Sequence, residues 1–216
     1  ISGWNVSMVT NMSSMFQTAL SFNQNIGTWN VSGVTNMSSM FQGAESFNQD
    51  ISGWNISSLR IATNMFDGTG LSADISFNIW QNWSSVSSIN ATNAKAIGQV
   101  MNSLNIIDLS GLYEDPSFNI DIGIWDVSMV TDMSRMFNGA ESFNQDISGW
   151  NISSLQIANN MFDGTGLSHN ISFNIWQNWS SVSSINNTNA TAIGQVMNSL
   201  NIIDLSGLYN GDTSFN

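Results

Sequence analysis

Residues 29–54 read WNVSGVTNMSSMFQGAESFNQDISGW, and this stretch decides the fold. Bulky apolar residues sit at fixed places: Trp29, Val31, Met37, Met40, Phe41 and Phe47. The same places recur one unit earlier at Trp4, Met15, Phe16 and Phe22, and later at Trp54, Met65 and Phe66. They return again at Trp125, Met136, Phe137 and Phe143, then at Trp150, Met161 and Phe162. A unit of 20–30 residues is too short to bury a core alone, so it has to stack on its neighbours. Stacking turns each recurring position into a column, and Phe118 and Phe215 extend the Phe22 column.

A longer period contains the short one. SFNQDISGWNISSL begins at Ser46 and at Ser142, SFNIWQNWSSVSSIN at Ser76 and at Ser172, and AIGQVMNSLNIIDLSGLY at Ala96 and at Ala192. The chain thus reads as one continuous solenoid over 1–216, made of a unit 1–25, a module 26–121 and its second copy 122–216. The less regular stretches 75–121 and 171–216 each read as two diverged units, with DLSGLY at Asp108 matching DMSRMF at Asp132. That makes about nine coils. Within a coil, Trp29-Asn30-Val31-Ser32 alternates with period two and predicts a strand. Met37, Met40 and Phe41 at i, i+3 and i+4 predict a short helix or 3₁₀ turn, opened by Asn36 (or Asp132) and closed by Gly43 (or Gly139). The expected fold is a repeat solenoid of leucine-rich-repeat-like coils, strand plus short helix or 3₁₀ turn. The segment opens on ISGW and closes on SFN without a polar cap, so uncapped ends are expected as well.

The whole unit at Trp29, and the run from Trp125 to Ile147, resemble the 25–26-residue repeat of BspA-like leucine-rich-repeat surface proteins. The resemblance implies a secreted or cell-surface protein with adhesive or structural roles. Where that repeat usually has Asp, this chain often has Asn, as at Asn5, Asn30, Asn36 and Asn55.

Composition narrows the function. Only 8% of the 216 residues are charged, and the net charge is −12, with Arg60, Lys95 and Arg135 the only bases. Nucleic acid needs a basic surface, and none is encoded. No apolar run reaches the length of a membrane span, so no membrane insertion is expected. With no Cys and a single His (His169), thiol catalysis and conventional metal sites are not expected either. His169, Lys95 and Arg60 are replaced in the other copy by Ala73, Thr191 and Gln156, so no enzyme is expected.

Twelve Asn-x-Ser/Thr sequons are the candidate sites: Asn5, Asn11, Asn30, Asn36, Asn55, Asn82, Asn90, Asn151, Asn170, Asn178, Asn186 and Asn189. In the strand reading Asn5, Asn30, Asn55 and Asn151 point outward and can carry N-linked glycans. The competing reading is an asparagine ladder from coil to coil. For Asn23, Asn48, Asn119, Asn144 and Asn216, which lie outside sequons, a buried ladder is expected. Asp50, Asp74, Asp121 and Asp146 recur before an Ile, with Asn25 and Asn170 in the same place. A column that accepts Asn reads as an Asx turn, and Ca²⁺ is not expected. DGTG at Asp67 and Asp163 reads as a turn, and Trp80, Trp83, Trp176 and Trp179 as core. The functional expectation is a structural, glycosylated extracellular protein. It belongs to a longer covalent array or polymerises with itself head to tail. The alternative is a surface adhesin for glycans or host proteins.

Overall fold

A computed structural model describes residues 1–181 and 183–200. Phe215, Asn216 and the second DLSGLY lie outside them. The chain forms two compact units, Ile1–Asn105 and Ile106–Asn216.

The first unit is built from three stacked layers, here called rungs: 1–25, 26–50 and 51–72. Asn36 bridges both Asn11 and Ile61 in parallel register. On the rung 26–50, the backbone N–H groups of Met37, Ser39, Phe41 and Gly43 donate to the carbonyls of Ile61, Thr63, Met65 and Asp67, at 2.7–3.0 Å. Those of Met12, Ser14, Phe16 and Thr18 donate in the same way to Asn36, Ser38, Met40 and Gln42. Every second peptide therefore lies along the stacking direction. The peptides between them bond locally, Met40 N–H to Met37 and Gln42 N–H to Ser39. That alternation needs left-handed residues, and Ser14, Ser39 and Asn64 hold φ of 54–57° in one column, with Thr18, Gly43 and Gly68 in a second.

This arrangement corrects the expected fold class. Among the described residues no strand and no sheet forms, only four isolated parallel bridges and four α-helices, so the chain is not a strand-and-helix leucine-rich-repeat solenoid. The Trp29–Ser32 segment fails as a strand because its polar groups bond locally. Asn30 Oδ1 accepts the Ser32 N–H, and Val34 N–H closes a turn on the Val31 carbonyl. An Asx turn produces the same apolar–polar alternation as a strand. The Thr35–Phe41 segment fails as a helix because Ser39 is left-handed.

The aromatic columns are present. Phe16–Phe41 and Phe41–Phe66 stack at 5.7 and 5.9 Å, and Phe22–Phe47 at 5.9 Å. Trp29, Met40, Phe41, Phe47, Trp54 and Met65 are buried. Offset stacks at such spacing add to the burial of large rings.

The stack ends in helices, so two of the expected coils are not coils. Helix α1 spans Ala73–Trp83 and α2 spans Ala94–Ser103. Ser72 Oγ accepts the Ile75 N–H and Asp74 sits in the first turn, both favourable at a helix N-terminus. Trp83 takes the place a further rung would give its Trp. Its ring lies 6.5 Å from Trp54, and its Nε1 donates to the Ser52 carbonyl at 3.2 Å. Gln99 Oε1 accepts the Ala62 N–H at 2.8 Å, and Asn93 Nδ2 donates to the Ile56 carbonyl at 3.2 Å. Side chains of α1 and α2 thus satisfy backbone groups that the next rung would otherwise have met. Each stack is thus closed at its helix end, whereas the first rung leaves Trp4, Met8 and Leu20 exposed, and the closing SFN lies outside the described residues.

The second unit repeats this plan with rungs at 106–121, 122–146 and 147–168, then α3 (His169–Trp179) and α4 (Ala190–Ser199). Asp108 bridges Asp132, as the match of DLSGLY to DMSRMF required, and Asp132 bridges Ile157. Ala158 N–H meets Gln195 Oε1 at 2.7 Å, and Trp179 stacks 6.3 Å from Trp150.

Candidate functional site

The sequon asparagines fall into groups by what their amides do. Asn5, Asn11, Asn30, Asn36, Asn55 and Asn151 form Asx turns, each Oδ1 accepting the N–H of the Ser two residues on at 2.9–3.2 Å. At Asn5, Asn30 and Asn36 the Ser hydroxyl also donates to Oδ1, at 2.7 Å. Only the acceptor oxygen is used in these bonds, and all six residues are exposed except half-buried Asn36. Asn170 is exposed in the first turn of α3. The remaining five use the nitrogen that would carry a glycan. Asn82 and Asn178 Nδ2 donate to the carbonyls of Asn78 and Asn174 in their own helices. Asn90 and Asn186 reach the carbonyls of Ser57 and Ser153 on the third rung. Asn189 is 0% exposed, and its Nδ2 donates to both Ile152 and Ser184 carbonyls. In this fold a glycan on Asn189 has no room. Its counterpart Asn93 makes the same bonds, which identifies the position as a structural anchor.

The expected asparagine ladder exists, but exposed and of a different kind. Asn23 Oδ1 accepts the Asn48 N–H, and Asn48 Oδ1 accepts the Ser72 N–H, at 2.9 and 2.8 Å. Asn119 and Asn144 repeat the chain to Ser168. Each amide oxygen thus takes a backbone N–H of the next rung, and the four asparagines stay in contact with water.

The recurrent carboxylates also make Asx turns. Asp50, Asp121 and Asp146 accept the N–H groups of Ser52, Gly123 and Ser148, whereas Asp74 lies in α1. Ser128 holds Asp126 below the ordinary carboxylate range through its hydroxyl and its N–H, and Ser148 does the same for Asp146 through its N–H and hydroxyl. Asp115 is lowered by Ser117 likewise. Among the described residues no group of three or more acidic or His side chains is placed to hold a metal ion.

DGTG is a turn with two separate demands. Gly68 is left-handed at φ +68°, and a Cβ on Gly70 would run into the Glu45 carbonyl of the rung before. Beside it, Asp67 is raised above the ordinary carboxylate range by burial. A cavity of about 410 Å³ opens there between the third rung and the C-terminal half of α2. Composition gave no sign of this cavity, because its walls come from segments about 35 residues apart. Trp80, Trp83, Trp176 and Trp179 are all buried.

No helix among the described residues is long and apolar enough to cross a membrane. No curated protein and no solved structure matches the chain. A family model matches residues 1–100 and again residues 84–199, so each match takes in rungs together with a helix pair. This is a repeat family related to the BspA-like surface proteins, without the leucine-rich-repeat fold of that resemblance. The chain belongs to the family described as Mycoplasma protein of unknown function, DUF285.

Proposed function

We propose that the chain is a structural protein of the cell exterior, N-glycosylated on its exposed Asx turns. Its modules act as spacers within a longer covalent array or a head-to-tail filament of copies. One observation carries the reading. A complete module of rungs and helix pair recurs with the same bonds, Ala62 to Gln99 and Ala158 to Gln195, Ile56 to Asn93 and Ile152 to Asn189. Adding such a module adds length without adding chemistry. The exposed Asx-turn asparagines, whose nitrogens are left over from the turn, supply places for a hydrated coat where charge is scarce.

The test is electron microscopy of native material together with glycopeptide mass spectrometry. Filaments or long arrays, with glycan at Asn5, Asn30, Asn55 or Asn151 and none at Asn189, are the expected result. Discrete particles with bare asparagines would end this reading. The alternative, an adhesin for glycans or host proteins, is favoured by Phe77 and Phe173, which are 57% and 38% exposed at the same place in the two helix pairs.

A further inference from the structure

The cap on the first unit leaves part of its task undone. In the register of the rungs, Ala62, Asn64, Phe66 and Gly68 correspond to Met37, Ser39, Phe41 and Gly43, whose N–H groups all point to the following layer. Ala62 finds Gln99 on α2. Among the described residues Asn64, Phe66 and Gly68 make no such bond, and Asn64 and Gly68 line the cavity of about 410 Å³. Asn64 and Gly68 thus present their N–H groups at an opening rather than at a rung.

The walls around them are polar and uncharged apart from one carboxylate. Gln99 uses its oxygen on Ala62, which leaves its Nε2 to donate. Asn102 and Asn105 bring amides that both donate and accept, and Asp67 brings an acceptor. No cation and no aromatic ring lines the cavity. A bound anion would meet Asp67 without a counter-charge, and a planar aromatic ligand would find nothing to stack on. A neutral molecule dense in hydroxyl groups can use donors and acceptors together, and the volume lies within the range of roughly 300–1,000 Å³ usual for small-molecule sites.

We infer that the cleft between the third rung and α2 is a binding site for a neutral monosaccharide unit. The backbone N–H groups of Asn64 and Gly68, with Gln99 Nε2, donate to its oxygens, and Asp67 accepts from its hydroxyls. The inference is independent of the spacer reading, which needs no ligand. The second unit carries the same residue types at Asn160, Asp163, Gly164, Gln195 and Asn198.

The test is a titration of the full chain with glucose, galactose, mannose and N-acetylglucosamine, followed by saturation-transfer NMR and calorimetry. At least one sugar should bind saturably, with a dissociation constant on the order of 1 mM. The double variant D67A/D163A should weaken it by about tenfold or more. D67N/D163N, which keeps an acceptor oxygen, should weaken it less, and circular dichroism should show all three chains folded alike. If no sugar binds saturably, the assignment is overturned. It is equally overturned if a sugar binds the folded double alanine variant as tightly as the parent.

Discussion

The stacked rungs and the helix pair that ends them solve one problem in opposite ways. A rung sends its peptide N–H groups out to carbonyls 24 residues away, so it cannot be satisfied alone. A helix satisfies its backbone internally and needs its neighbour only for its side chains. Rungs therefore propagate and helices terminate. Gln99 and Asn93, or Gln195 and Asn189, form the junction, where side-chain amides stand in for a missing rung backbone. The lesson is that an array of this kind can be closed from inside without a separate capping domain.

The strongest way to break that junction is Trp83→Ala. It removes a fully buried ring that continues the Trp54 column, and should cost about 3–5 kcal/mol in urea unfolding. A loss below about 1 kcal/mol would mean that the helix pair is not held by the column. Within the rungs, Gly70→Ala should cost about 1–3 kcal/mol, because the new methyl meets a backbone carbonyl that cannot move freely. Thermal melting of this variant would read the same as the parent if successive rungs do not pack as closely as described. Gln99→Ala should cost about 1 kcal/mol, since the Ala62 N–H passes from a protein acceptor to water. Hydrogen exchange should find the Ala62 amide deprotected in that variant, and unchanged protection would count against the junction.

Comparing the two units sharpens the picture further. Tyr113 stacks on Phe137 in the second unit, at the position that Phe16 and Phe41 hold in the first, and its buried hydroxyl has no hydrogen-bond partner among the described residues. Burial pushes this phenol well above its usual value, so it stays neutral. Tyr113→Phe should leave stability unchanged or raise it by about 1 kcal/mol, and a clear loss in chemical denaturation would reveal a partner for the hydroxyl.

The smallest effect concerns acid. Asp126 and Asp146 are held below the ordinary value of 3.8, so their contribution is present above that value and is lost as pH falls through the lowered one. Asn30 of the first unit does the work of Asp126 without titrating. Asp67 of the first unit is raised, so its contribution has the opposite sign: it is full below 3.8 and is lost as pH rises through the raised value. The variant D126N/D146N should therefore lose less melting temperature than the parent between about pH 6 and about pH 2. Equal losses would show that the Asx carboxylates do not set the acid response.

Much of this was legible in the residues. The columns followed from the spacing of Trp, Met and Phe, and the Asx turns from the exchange of Asp for Asn at Asp50, Asp121 and Asn25. The alternation in Trp29–Ser32 misled, because turns and strands share it. The helix pairs were missed because Asp74 before Ile75 and Asn170 before Ile171 repeat the opening of a rung, as Asp50 does before Ile51, which made 75–121 and 171–216 look like diverged coils. A signal for α1 was available, in Ile75, Ile79 and Trp83 at i, i+4 and i+8 behind the N-capping Ser72.

The amino-acid sequence by itself determined the repeat, its period, the residues that stack and the local turns. Each of these depends on residues a few positions apart, or on identity between copies. Only the tertiary structure decided that peptides align along the stack without making strands. It alone decided that helices close each stack, that Asn189 is buried while Asn5 is not, and that a polar cleft lies beside α2. Each of those outcomes depends on which groups 24 or 37 residues apart meet, and side-chain type alone does not specify such meetings.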